Sequence, residues 1–183
     1  MQVISGKYRG RKLISLETDD TKPTLTRIKG SVFDLLQGYI SECEFLDLFA
    51  GSGAIGMEAL SRGAKHVYFV DSNPDARKTI EKNMKNVDKE NFDIIIEDCF
   101  NALDIVSQKG VIFDLVYLDP PYKSELYLPC LRALSQKKLV KNGSLVCLEQ
   151  LAKNSLQVMP ECYTILKSKN YGDKNITILE YEG

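Results

Sequence analysis

The tetrapeptide Asp119-Pro120-Pro121-Tyr122 contains the residue types that could hold an amino group beside a flat ring. Proline has no N–H donor and a fixed φ, so two prolines in succession keep the chain extended and rigid. The Asp119 carboxylate and the Pro120 carbonyl are therefore fixed acceptors, and the Tyr122 ring offers a stacking surface for a nucleobase. Two acceptors beside an aromatic ring suit the exocyclic NH2 of a base flipped out of its stack. We therefore predict that these four residues are catalytic.

A glycine-rich loop lies upstream, where Gly51-Ser52-Gly53-Ala54-Ile55-Gly56 fits the G-x-G-x-x-G pattern of dinucleotide-binding loops. Glycine at the first two of these places lets backbone N–H groups approach a ligand. Asp47, however, would repel a pyrophosphate, whereas it suits the ammonium group of S-adenosylmethionine (SAM), which carries no phosphate. The alternative for Asp47 is a turn cap. The loop therefore favours SAM over NAD, with Gly56 predicted to serve close packing of a helix on the sheet.

Two further acids follow predicted strands. Asp71 lies 20 residues after Gly51 and could accept hydrogen bonds from both ribose hydroxyls of an adenosine, or it could cap the next helix. Asp98 and Cys99 would lie beside the adenine, although a surface acid is the alternative for Asp98. The residues predicted from these motifs to bind the cofactor are Asp47, Phe49, Gly51, Gly53, Asp71, Ser72, Asp98 and Cys99.

The elements that must position these residues alternate between apolar strands and amphipathic helices from Cys43 to Leu148. This alternation predicts an α/β fold with a mainly parallel sheet and right-handed crossovers. Residues 162–172 and 175–182 are two strand-like runs around a turn, which predicts an antiparallel hairpin. Residues 2–16 alternate like a small β element, and helices are predicted to begin near Thr26 and at Ala102.

The composition excludes several classes of protein. The 183 residues suit one domain or one domain with a small appendage. No apolar run approaches about 18 residues and the first ten residues are polar, so we expect neither a membrane span nor a signal peptide. The five cysteines are scattered and His66 is the only histidine. We therefore expect no metal site and a reducing cytoplasmic setting.

The charge is unevenly distributed. The net charge of −1 argues against general coating of nucleic acid, yet residues 1–16 contain Lys7, Arg9, Arg11 and Lys12 and no acid. A basic segment of this kind could contact RNA phosphates. A solvated, charged hairpin is the alternative.

Together these segments resemble a class I SAM-dependent methyltransferase and, more closely, the RsmD family, bacterial guanine-N2 methyltransferases of 16S ribosomal RNA. The resemblance extends over essentially the whole chain, in residues 3–13, 22–36, 46–64, 118–122, 146–149 and 171–181. The family segment Arg-Pro-Thr-x-Asp-Arg-Val-Arg-Glu is altered, because Lys22, Thr26 and Gly30 replace the first Arg, the Asp and the Glu. Only Thr24 and Arg27 are carried over from it as cofactor-binding residues.

The resemblance implies a Rossmann-like class I methyltransferase fold with a seven-stranded, mainly parallel sheet and a C-terminal antiparallel hairpin. Residues 1–40 would form an RNA-contacting hairpin and helix extension, and residues 41–183 the methyltransferase domain. The implied reaction is methyl transfer from SAM to the exocyclic N2 of a guanine in 16S ribosomal RNA or the assembling small subunit. The implied protein needs neither membrane nor metal, and a monomer is favoured. Adenine-N6 methylation of DNA or RNA, an NAD-dependent oxidoreductase and a non-catalytic binding protein are the alternatives.

Overall fold

The computed structural model describes residues 1–16, 23–121, 125–154, 156 and 158–183, with the side chains of 23–27 and 154 left out. Its described part contains a seven-stranded sheet in the order β3-β2-β1-β4-β5-β7-β6. The strands are β1 Glu44–Asp47, β2 His66–Asp71, β3 Phe92–Ile96, β4 Phe113–Leu118, β5 Val140–Leu151, β6 Tyr163–Tyr171 and β7 Lys174–Tyr181.

The first five strands are parallel, whereas β7 is antiparallel to both β5 and β6. The predicted class I methyltransferase fold and its C-terminal hairpin are therefore confirmed. The helices are α1 Pro23–Leu35, α2 Ala54–Ser61, α3 Pro74–Asn83, α4 Cys99–Gln108 and α5 Tyr127–Gln136. Among the described helices, none is both long and apolar enough to cross a bilayer.

Two apolar layers cover the two faces of the sheet, because side chains alternate between faces along each strand. Phe45 and Phe69 lie in one layer with Val32 of α1 and Met57 of α2. The neighbouring residues Leu46 and Val70 lie in the other layer, with Leu103 of α4 and Leu131 of α5.

Two predicted boundaries are corrected by the structure. α1 begins at Pro23 rather than near Thr26, since a proline without N–H fits the first turn of a helix. α4 begins at Cys99 rather than Ala102, because Asp98 caps it. The predicted N-terminal β element is present as the antiparallel bridge Gln2↔Lys12, flanked by backbone hydrogen bonds from Val3 to Arg11 and from Leu13 to Met1.

The N-terminal segment is fixed to α2 by Glu58, which is fully buried. The Glu58 carboxylate accepts from the N–H groups of Ile4 at 2.8 Å and Ser5 at 3.0 Å. It also pairs with Lys29 at 2.9 Å and Arg62 at 2.8 Å. The segment and α1 share their apolar layer with the sheet, so the described part of residues 1–40 packs into the core that supports the site.

Candidate active site

The carboxyl ends of β1 to β4 surround an open cavity of about 400 Å³. Ligands of parallel α/β sheets bind at this edge. The structure brings together there, among the predicted site residues, Phe49, Asp71, Ser72, Asp98, Cys99, Asp119, Pro120 and Pro121. Leu48, Glu97 and Leu126 complete the lining and were not predicted. Within the part of the chain that the structure describes, no cluster of three or more His, Cys, Asp or Glu side chains could hold a metal.

The glycine loop joins β1 to α2. Gly51 and Gly53 have φ values of +52° and +76°, in the left-handed region that favours glycine. A Cβ at Gly51 would meet nothing within 4 Å, so this turn leaves its surface open. A Cβ at Gly56, by contrast, would lie 2.2 Å from Cε1 of Phe69. The prediction that Gly56 serves packing of the helix on the sheet is therefore confirmed.

Asp71 links the end of β2 to the glycine loop. Its Oδ2 accepts from the N–H of Gly51 at 2.7 Å and its Oδ1 from the N–H of Asn73 at 2.8 Å. The helix-cap alternative is wrong, since the Asn73 side chain caps α3 by accepting from the N–H of Asp75. A carboxylate has about four acceptor sites, so Asp71 can still accept from a ribose, and that role stays a prediction.

Asp98 is the N-cap of α4, where its Oδ1 accepts from the N–H groups of Phe100 at 2.9 Å and Asn101 at 3.2 Å. Asp98 also lines the cavity. Its predicted contact with an adenine amine would use the acceptor sites of the carboxylate that the cap leaves open. The adjacent Cys99 is buried. A hydrogen bond with the thiol of Cys130 in α5 lowers the pKa of Cys99, and this contact joins the start of α4 to α5.

Asp47 lies at the end of β1 and is only 2% exposed. Its Oδ2 accepts from the N–H of Gly56 at 3.0 Å, so it holds the first turn of α2. Burial raises the pKa of Asp47 to about 7; the Gly56 N–H opposes this rise and the charge of Asp71 adds to it. Asp47, Gly51 and Gly53 do not belong to the described lining of the cavity. The predicted contact of Asp47 with an ammonium group therefore stays a prediction.

Asp47 should make the stability of the protein depend on pH. A carboxyl whose pKa is higher in the folded state than in the unfolded state stabilises the fold at low pH, and this contribution is lost as pH rises from about 4 to 7. We expect the free energy of unfolding to fall by about 2–3 kcal/mol between pH 5 and 7.5, relative to Asp47→Asn. Urea titrations of both proteins at the two pH values measure this difference, and parallel pH profiles would contradict the prediction.

The predicted catalytic motif directly follows β4. Pro120 is buried and Pro121 exposed, and both line the cavity with Asp119. Tyr122 lies outside the described residues. Leu118 is in register with Leu148 of β5, which places Asp119 level with Glu149 on the neighbouring strand.

Glu149 is a buried residue that sequence reasoning missed as a functional candidate. Its carboxylate accepts from the Tyr117 hydroxyl and from the Lys174 ammonium. Its backbone carbonyl accepts from the Tyr127 hydroxyl at 2.6 Å. These contacts join β4, β5, β7 and α5 on either side of the predicted catalytic motif, so Glu149 fixes the strands and the helix next to it. A charged residue within an apolar strand was its only signal in the sequence.

The predicted RNA-binding residues are not part of the described cavity lining. Lys7, Arg9 and Lys12 are exposed, whereas Arg11 donates to the carbonyls of Asn83 at 3.3 Å and Lys85 at 2.5 Å. The Lys7 N–H donates to the carbonyl of Ser61, the last residue of α2. The side chain of Asn83 donates in turn to the carbonyl of Ser52 in the glycine loop at 2.9 Å, so the basic segment extends from the end of α2 to a residue that contacts this loop.

Two other predicted cofactor-binding residues, Thr24 and Arg27, lie in α1. Their side chains are outside the described part, so their role stays a prediction.

The chain is similar over nearly its whole length to proteins named as methyltransferases. It is 35% identical to ribosomal RNA small subunit methyltransferase D of Haemophilus influenzae, covering 94% of this chain and 89% of the relative. A solved structure described as a putative methyltransferase from Escherichia coli has a TM-score of 0.87 at 26% identity, covering 100% of this chain and 98% of the other.

A second solved structure shares the fold at lower identity. A putative SAM-dependent methyltransferase from Streptococcus mutans has a TM-score of 0.71 at 15% identity and covers 84% of this chain and 48% of the other. The family model described as conserved hypothetical protein 95 matches residues 1–180. The chain therefore belongs to this family, the RsmD family that its motifs resemble.

Proposed function

We propose that this protein transfers a methyl group from SAM to the exocyclic N2 amine of a guanine in 16S ribosomal RNA. The observation that carries the proposal is one cavity at the carboxyl edge of the sheet. It is lined by the catalytic acceptors Asp119 and Pro120 and by the candidate nucleoside acceptors Asp71 and Asp98. The relative named as a ribosomal RNA small subunit methyltransferase supports RNA as the substrate.

The cavity suits a nucleoside with an amino-acid tail. Its volume of about 400 Å³ lies in the range of small-molecule sites. Asp71 would accept from the ribose hydroxyls and Asp98 from the adenine amine, while the side chain of Phe49 lines the same cavity. Asp71 and Asp98 suit the adenosine that SAM and NAD share. The relatives named as methyltransferases support SAM rather than NAD as the cofactor.

The chain's contribution to the reaction is mainly positioning. SAM, when bound, supplies an electrophilic methyl group on a sulfonium. An aromatic amine is a poor nucleophile because its lone pair is conjugated with the ring. Asp119 and the Pro120 carbonyl would accept the two amine hydrogens, which turns the nitrogen lone pair toward the methyl group and holds the reacting atoms in line. As the N–C bond forms, the amine proton becomes acidic, and Asp119 is placed to take it.

The remaining segments would hold the RNA. Residues 1–40 are proposed as an RNA-contacting extension of a methyltransferase domain over residues 41–183. Lys7, Arg9 and Lys12 are exposed and could bind phosphates, which position the substrate without reading its sequence.

The identity of the methylated nucleobase and the identity of the cofactor can be tested together. We expect calorimetry to show micromolar or tighter binding of SAM and no binding of NAD, since the relatives that cover nearly the whole chain are named as methyltransferases. We expect tritiated SAM and undermethylated small ribosomal subunits to yield N2-methylguanine when the RNA is hydrolysed to nucleosides.

N6-methyladenine as the product would favour the adenine alternative, because the same motif suits both amines. Binding of SAM without transfer to RNA would contradict the proposed substrate, and binding of NAD would contradict the proposed cofactor.

A further inference from the structure

The outer strand β6 forms an edge of the sheet and is exposed along most of its length. Residues 164–170 are all exposed, and in the described part of the chain β6 pairs only with β7. No described helix covers this strand, in contrast to β1 and β2, which are buried between two layers. Packing in the core therefore does not account for the residues on this surface of β6.

This surface lies level with the catalytic motif. Asp119 stands level with Glu149 of β5, Glu149 is in register with Ile176 of β7, and Ile176 is in register with Lys169 of β6. Three strand spacings separate β4 from β6, about 14 Å. A polymer whose nucleotide enters the cavity can therefore reach β6 within a few nucleotides.

The charge of β6 is entirely positive. Its residues Tyr163–Tyr171 contain Lys167 and Lys169 and no acid. The two lysines are two residues apart, so they lie on one face with their Cα atoms about 7 Å from each other. The Lys169 ammonium is 5.2 Å from the centre of the Tyr171 ring, which holds that side chain near the carboxyl end of the strand.

We propose that Lys167 and Lys169 bind the phosphates of the RNA strand that extends from the nucleotide at Asp119. This inference rests on the proposed function and adds a second RNA contact, on the far side of the cavity from the N-terminal segment. Two ammonium groups on one face, at the level of the catalytic motif, complement a phosphate backbone.

A protein partner is the competing occupant, because Ile165 and Leu166 are 51% and 47% exposed. The register shifts between Ile165 and Lys167, and a bulge of this kind interrupts the hydrogen-bonding edge that an added strand needs. Lysines on an edge strand also discourage pairing between sheets. The structure therefore favours RNA over a second copy of this chain at β6.

The test compares the wild type with Lys167→Gln/Lys169→Gln. Binding of a fluorescein-labelled, unmodified 16S ribosomal RNA fragment is measured between 50 and 200 mM salt. We expect the slope of log K against log salt to become shallower by about 1.4, from about 0.7 per phosphate contact on a single strand. In methyl-transfer assays we expect KM for the RNA to rise about tenfold. The values of kcat and of Kd for SAM should stay the same.

The matched control is Lys89→Gln/Lys138→Gln, which changes two exposed lysines that shortly precede the amino ends of β3 and β5. It removes the same charge and should leave the slope and KM unchanged. An unchanged slope in the β6 variant, or an equal change in the control, would overturn the inference. A change in oligomeric state on gel filtration with unchanged RNA binding would also overturn it, in favour of a chain–chain surface.

The proposed function and the proposed RNA contact of β6 can be contradicted independently of each other. Absence of methyl transfer by the wild type contradicts the proposed function, whereas the salt slope reports on β6 without any transfer.

Discussion

Replacing Asp119 with asparagine is expected to lower kcat for methyl transfer by about 10²–10³-fold, the usual effect of losing one fixed hydrogen-bonding group from a reacting centre. Asparagine keeps the shape and one acceptor oxygen, but it carries no negative charge and cannot take a proton. The neutral amide should stabilise the positive charge that develops on the target nitrogen less well, and it leaves the amine proton without its acceptor. SAM binding should persist, because the ribose and adenine acceptors proposed for it, Asp71 and Asp98, lie at the ends of β2 and β3.

Single-turnover assays at saturating SAM and RNA measure this loss, and calorimetry measures SAM binding. The matched control is Asp88→Asn, an exposed acid whose side chain makes no capping hydrogen bond. It makes the same chemical change and should retain wild-type activity. A kcat for Asp119→Asn close to that of the control would remove Asp119 from the catalytic machinery.

Replacing Glu58 with alanine is expected to lower the free energy of unfolding by about 3–5 kcal/mol, as when one partner of a buried ion pair is removed. Lys29 is 2% exposed and would lose its counter-charge. The N–H groups of Ile4 and Ser5 would lose their acceptor, so the N-terminal segment should detach from α2. Denaturant unfolding measures the stability, and limited proteolysis near residue 10 reports on the segment.

The matched control is Glu81→Ala on α3. Glu81 lies 3.7 Å from Arg77 in an exposed i,i+4 pair, and such pairs contribute about 0.3–0.5 kcal/mol. Similar losses from the two substitutions would contradict the proposed anchoring by Glu58.

The effect of Glu58 should also depend on pH. Burial opposes its charge, but hydrogen bonds from Ile4, Arg62 and Lys29 outweigh burial and lower its pKa. A carboxyl with a lowered folded pKa stabilises the fold above its unfolded pKa, and this contribution is lost as pH falls through the folded value. The difference in stability between wild type and Glu58→Ala should therefore shrink below about pH 4.5.

The sequence by itself determined the architecture and most of the cavity lining. Strand and helix periods are local signals, and parallel strands connected by helices have their carboxyl ends at one edge. That rule was sufficient to bring Asp71, Asp98 and Asp119 together. Gly56 could also be interpreted correctly, because its place in the pattern falls on the first turns of α2, where the helix packs on β2.

The tertiary structure alone decided what each acid contacts. Glu58 reaches Ile4 across 54 residues and Glu149 is paired with Lys174 across 25, and such distant pairings have no periodic signature in the chain. Asp47 is buried beneath the loop, where it accepts from the N–H of Gly56 in α2. Arg11 of the basic segment donates to the carbonyls of Asn83 and Lys85. Local pattern specifies which elements form, whereas packing between them determines which polar groups are buried and which remain open to a ligand.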